Sequence, residues 1–156
     1  MRLVSAAGAV HATGEITQGE MTMSADLKRI TYVEDEPDIR SIAEFALSHL
    51  GGFSLDVCAS GPEALERVPG FHPDLIILDV MMPGMDGIET YNRLRAIPDL
   101  AETPVVFMTA KAMNHEMDRY RALGAADVIA KPFDPLSLSA RVQEIRHQAH
   151  GARQAA

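Results

Sequence analysis

Cysteine is nearly absent from this chain: Cys58 stands alone, so no intrachain disulfide can form. A single thiol in an alternating apolar segment reads as a small core residue, which suits a reducing, cytoplasmic setting. Long apolar runs are missing too. None approaches the roughly 20 residues that span a bilayer, so membrane insertion is not expected. Basic residues are outnumbered, 14 Lys and Arg against 22 Asp and Glu for a net charge of −8, and they form no cluster. Phosphate neutralisation dominates nucleic-acid binding, so direct contact with nucleic acid is not expected, and protein partners or a cation site fit better. The six histidines show no spacing typical of a zinc site.

What is present suits one globular domain: 156 residues, 47% hydrophobic and 23% charged. Residues 1–25 are rich in Ala, Gly, Thr and Ser without helical or strand period, and read as a disordered extension. The apolar stretch Leu3 to Val10 is broken by Ser5 and Gly8 and follows a single Arg2, too weak for an export signal. Met21 or Met23 is an alternative natural start. Residues 26–147 carry the patterned domain. Residues 148–156 read as a frayed tail, with nothing left to encode an output domain.

Within the domain, short apolar runs alternate with amphipathic stretches. Ile30–Val33, Phe53–Cys58, Leu75–Leu78, Val105–Met108 and Val128–Ala130 read as strands. The helices between them are read from Pro37 to Leu50, from Ser60 through Val68, over Ile88–Ile97, and over Ala112–Leu123 with Gly124 as its stop. Asp134 is expected to cap a last helix carrying Leu136, Leu138, Val142 and Ile145. Five strands alternating with five helices predict a three-layer, doubly wound α/β domain around a five-stranded parallel sheet. Ligand sites in such sheets lie at the carboxyl ends of the strands.

Those ends carry chemistry. Strand one ends in Glu34-Asp35, strand three in Asp79, strand four in Thr109 and strand five in Lys131. Taken singly, an acid pair before a helix is usually capping, a threonine at a strand end bonds backbone, and a lone lysine is solvated. Asp79 is harder to explain that way, because it follows four apolar residues on a central strand. Three carboxylates gathered on one rim repel each other and call for a cation. Oxygen-only ligands suit Mg²⁺, which pairs with phosphate, while a hydroxyl and an ammonium are donors to phosphoryl oxygens.

Val33-Glu34-Asp35-Glu36-Pro37, the string from Leu78-Asp79 to Asp86-Gly87, Met108-Thr109-Ala110 and Lys131-Pro132-Phe133 resemble the motifs of response-regulator receivers, in order, from about Lys28 to Arg146. The resemblance implies a (βα)5 flavodoxin-like receiver of two-component signalling, in its single-domain form. Asp79 accepts a phosphoryl group from the phosphohistidine of a sensor histidine kinase or a histidine phosphotransfer protein. Asp35, Asp79 and the backbone carbonyl of Met81 bind Mg²⁺, and Glu34, in place of the commoner Asp, acts through a metal-bound water. Lys131, preceding a proline by a bond that is typically cis in this family, pairs with Asp79, and Thr109 bonds the phosphoryl group. Output runs by contact with an unidentified downstream protein. The segment from Lys131 to Val142 resembles receivers that pair as phosphorylation-dependent homodimers.

One departure stands out. Where many members of the family carry a switching Tyr or Phe, this chain has Val128, and Tyr120 is a candidate substitute. Met81 and Lys111 stand at positions that border the entry of attacking water in the family resembled, which would imply a phosphoryl lifetime unlike that of the fastest regulators. Three other readings compete. An aspartyl-nucleophile phosphatase needs a second acid two residues after Asp79, where Met81 stands. A flavodoxin-like binder of FMN needs a phosphate loop where Glu34-Asp35-Glu36 would repel it. An interaction module that is never phosphorylated has no need of the full acid, Thr and Lys set.

Overall fold

The computed structural model describes residues 27–155. The expectations for residues 1–25, including a start at Met21 or Met23, lie outside the described residues. Five strands, β1 (Arg29–Val33), β2 (Ser54–Cys58), β3 (Leu75–Asp79), β4 (Val105–Thr109) and β5 (Asp127–Ala130), form one parallel sheet in the order β2-β1-β3-β4-β5. Four helices connect them, α1 (Pro37–Glu44), α2 (Gly61–Phe71), α3 (Gly87–Arg95) and α4 (Asn114–Ala122), and a fifth, α5 (Leu138–Ala155), follows β5. The order reverses between β1 and β3, so the crevice at their carboxyl ends is the switch point of the sheet.

Both faces of the sheet are covered, which is why β3 and β4 are buried along their whole length. Successive side chains alternate between two cores. Ile30, Tyr32, Leu75, Ile77, Val106 and Met108 pack with Leu47, Leu138, Val142 and Ile145 under α1 and α5. Val33, Ile76, Leu78, Val105 and Phe107 pack with Val68, Tyr91, Leu94 and Tyr120 under α2, α3 and α4. Cys58 is buried in this second core, and burial followed by the nearby Asp56 pushes its thiol up to about 12, which keeps it a protonated, unreactive packing group.

Local chemistry sets the helix ends. Pro37 opens α1, Ser60 caps α2 through its hydroxyl to the Glu63 amide, and Asp86 caps α3 through its carboxylate to the Glu89 amide. Several ends differ from the pattern reading. What reads as one helix to Leu50 becomes π-helical over Phe45–Leu50, leaving Phe45 half exposed and stacked on His49. Helix α2 passes Val68 and Pro69 to end at Phe71, because Arg29 lies over the Phe71 ring at 4.3 Å and donates to its carbonyl from Nε at 2.9 Å. Asp134 caps a turn through the Leu136 amide rather than the helix itself, which begins at Leu138 and leaves Leu136 81% exposed. The same helix runs on to Ala155, into the stretch read as a tail. Among the described residues, no helix is long and apolar enough to cross a membrane.

Candidate functional site

Strand geometry brings the rim residues together. Among the described residues, Glu34, Asp35 and Asp79 each offer a carboxylate oxygen, and these oxygens lie within 4.8 Å of one another. Glu34 and Asp79 are buried, at 0% and 2% exposure. Lys131 reaches into the group from the end of β5, with Nζ 3.1 Å from Asp79 Oδ1 and 3.0 Å from Glu34 Oε1. The Lys131-Pro132 peptide bond is cis, as the resemblance implies. Thr109 ends β4 on the neighbouring strand, where the register sets Asp79 beside Met108. Its hydroxyl is buried and accepts the Lys111 amide at 3.0 Å. Met81 lies two residues beyond Asp79 with its side chain 59% exposed.

The end of β3 is held from behind by glycine. A Cβ at Gly87 would stand 2.2 Å from the Asp79 carbonyl oxygen and 2.7 Å from Val80 Cα, so no other residue lets the start of α3 sit this close. The Gly87 amide donates to the Val80 carbonyl at 2.9 Å, and Asp86 caps the helix beside it.

Charge is the dominant feature here. Burial and then the nearby Glu34 carboxylate push the Asp79 carboxyl up to about 7, against the pull of Lys131. Burial opposes the charge on Lys131, but its bonds to Glu34 and Asp79 prevail and hold its ammonium above the ordinary range. One ammonium faces three carboxylates, leaving an excess of negative charge. Asp35 Oδ1 is buried without a hydrogen-bond partner. An orphaned anionic oxygen beside two more carboxylates fits a hard divalent cation such as Mg²⁺, which takes oxygen ligands alone.

Pattern reading missed Tyr32, which it took simply as part of a strand. The Tyr32 hydroxyl donates to Glu34 Oε1 at 3.2 Å, from a fully buried ring. The available signal was spacing, since residues two apart on a strand share a face. On the other side of the sheet, Val128 and Tyr120 share one core. Tyr120 is only 3% exposed, packs edge-on to Phe107 with centroids 5.4 Å apart, and donates to Glu116 Oε1 at 3.3 Å.

A parallel sheet in this strand order, with buried acids and a lysine at its switch point, defines a receiver-type signalling domain. The family model described as response regulator receiver domain matches residues 30–143, and the chain belongs to that family. It is 38% identical over 123 residues to the phosphate regulon transcriptional regulatory protein PhoB of Rhizobium meliloti, covering 79% of this chain and 54% of that protein. It is likewise 38% identical over 120 residues to the alkaline phosphatase synthesis transcriptional regulatory protein PhoP of Bacillus subtilis, covering 76% and 48%. The chain thus spans about half the length of these relatives. Among solved structures, the chemotaxis protein CheY4 of Vibrio cholerae superposes with a TM-score of 0.71 at 28% identity, covering 76% of this chain and 98% of that one. A response regulator from Chloroflexus aurantiacus gives 0.70 at 32% identity, covering 77% and 98%.

Proposed function

We propose that this receiver is a phosphorylation switch that takes a phosphoryl group from the phosphohistidine of a histidine kinase or phosphotransfer protein onto Asp79. The observation that carries the reading is the buried Asp79 carboxylate, paired with Lys131 within 4.8 Å of two further acids. In the transfer, the phosphorus–nitrogen bond of the donor breaks as an Asp79 oxygen–phosphorus bond forms, and the donor imidazole leaves. Glu34, Asp35, Asp79 and the carbonyl of Met81 would hold Mg²⁺, which supplies neutralisation of the phosphoryl charge. Lys131 keeps Asp79 aligned and offsets charge between nucleophile and donor, while Glu34 holds Lys131 in turn. Thr109, on the adjacent strand end, turns its hydroxyl to the new acyl phosphate.

The added charge of about −1.5 to −2 then draws on the Thr109 loop and shifts α4, β5 and α5, the surface read by a downstream protein. With Val128 too short to act as a swinging ring, Tyr120 stands under α4 to transmit the change. The donor is proposed to approach over the apolar groove between Ile39 and Ile42 of α1 and the segment from Lys131 to Pro135, since Lys131 lines both the groove and the acid site. An acidic chain of net charge −8 favours output by protein contact over nucleic acid.

The test is incubation of the full chain with acetyl phosphate and Mg²⁺, followed by intact mass. The wild type gains one phosphoryl group, Asp79→Asn gains none, and chelation of the cation stops the reaction. An Asp79→Asn protein that labels like the wild type ends the assignment.

A further inference from the structure

Glu34 is the unusual member of the acid set, being one methylene longer than an aspartate and having one more rotatable bond. A buried carboxylate on a flexible stem must be fixed before it can serve a cation site, and ordering it on binding has an entropic cost. Three donors fix it. Lys131 Nζ and the Tyr32 hydroxyl share Oε1, at 3.0 and 3.2 Å, and the Glu36 amide approaches Oε2 at 3.3 Å. Two of these donors sit in loops beyond strand ends. Only Tyr32 stands in the sheet interior, its ring fully buried in the core that also holds Leu47, Ile77 and Met108.

We propose that Tyr32 is a positioning residue for the cation site, its hydroxyl fixing the Glu34 carboxylate against Lys131. This rests on the reading of the site given above. The other neighbour of the hydroxyl is Met108 Sδ at 3.5 Å, a weak acceptor, so Glu34 is its strong partner. The tyrosine and the longer acid are matched. Glu34→Asp retracts the carboxylate from the hydroxyl, and Tyr32→Phe leaves the glutamate with two donors instead of three.

The test is a cycle of four full-length proteins: wild type, Tyr32→Phe, Glu34→Asp and the double variant. Calorimetric titration with Mg²⁺ and urea unfolding of the metal-free protein are measured for each. Tyr32→Phe is expected to raise the Mg²⁺ dissociation constant about five- to tenfold when residue 34 is Glu, the effect of losing one hydrogen bond of ordinary net strength. With Asp at 34 the same change is expected to shift it less than about twofold, because there is no bond left to lose. A dissociation constant unchanged by Tyr32→Phe, or an equal shift in both backgrounds, overturns the proposal. So does unfolding of Tyr32→Phe in both backgrounds, since the hydroxyl would then serve the fold as a whole and not the cation site. A wild-type protein indifferent to Mg²⁺ overturns the site reading itself, whereas a wild type that binds with no coupling between 32 and 34 overturns only the role of Tyr32.

Discussion

Helices α3 and α4 are each nine residues long and cover the same face of the sheet, yet they are attached to it differently. Helix α3 buries Gly87, Thr90, Tyr91 and Leu94, is capped by Asp86, and is tied at its far end by Arg95 to the carbonyls of Leu100 and Thr103 at 2.8 and 2.6 Å. Helix α4 buries only Tyr120, and Met113 at its N-cap offers no side-chain bond. One helix is welded to the loop that follows Asp79, while the other is held by the Tyr120 ring, the partly buried Met117 and one bond from the Tyr91 hydroxyl to the Leu123 carbonyl at 3.1 Å. Local stability follows buried contacts, so the element able to move cheaply is the one on the Thr109 side. That asymmetry is what a switch with a fixed acceptor and a movable reader requires.

The largest effect that could break the comparison is in packing. Leu94→Ala is expected to lower the unfolding free energy by about 3 kcal/mol, whereas Met117→Ala, on the partly buried side of α4, costs less than about 1 kcal/mol. Equal urea midpoints for the two variants would erase the difference between the helices. Next in size, native-state hydrogen exchange should find α4 amides opening at free energies at least about 2 kcal/mol below those of α3. Phosphorylation, if the proposed switch holds, changes the α4 rates and leaves the α3 rates alone.

A smaller effect separates helix packing from the charge on the rim. In the metal-free folded protein Asp79 holds its proton up to about 7, whereas in the unfolded chain it loses it near ~3.9. Between those values the folded state binds more protons, so this group's contribution to stability falls as pH rises through the window. Relative to Asp79→Asn, the metal-free wild type should therefore lose roughly 2 to 3 kcal/mol between about pH 5 and pH 8. Urea midpoints of both proteins at the two pH values check this, and parallel midpoints would show that Asp79 is not destabilised by its surroundings. Smallest of all, Met113→Ser supplies the missing cap and should stabilise α4 by about 0.5 to 1 kcal/mol, read as slower exchange confined to that helix.

Much of this was legible in the residues. Four apolar residues leading into Asp79 mark a central strand of a covered parallel sheet, and the fold then carries Glu34, Asp35, Thr109 and Lys131 to the same rim. Periodicity tells which face a residue takes, but not which partner lies across it. That is why Tyr32 read as strand packing alone, and why Tyr120 was placed on α4 without its burial against Phe107 being evident. Helix ends were harder still. Pro69 and Gly70 look like a stop, yet the Arg29 contact with Phe71 carries α2 past them. The π-helical turn at Phe45–Leu50 follows the same apolar spacing as an ordinary helix, so no local pattern distinguishes it.

The contact at Gly87 has a further consequence for how the molecule can respond. With no room for even one carbon between the start of α3 and the Asp79 carbonyl, the backbone of Asp79 has nothing to recoil into on that side. Under the proposed switch, a group attached to the Asp79 side chain would pass its displacement sideways toward β4, and the wall that does not yield would set the direction of the signal.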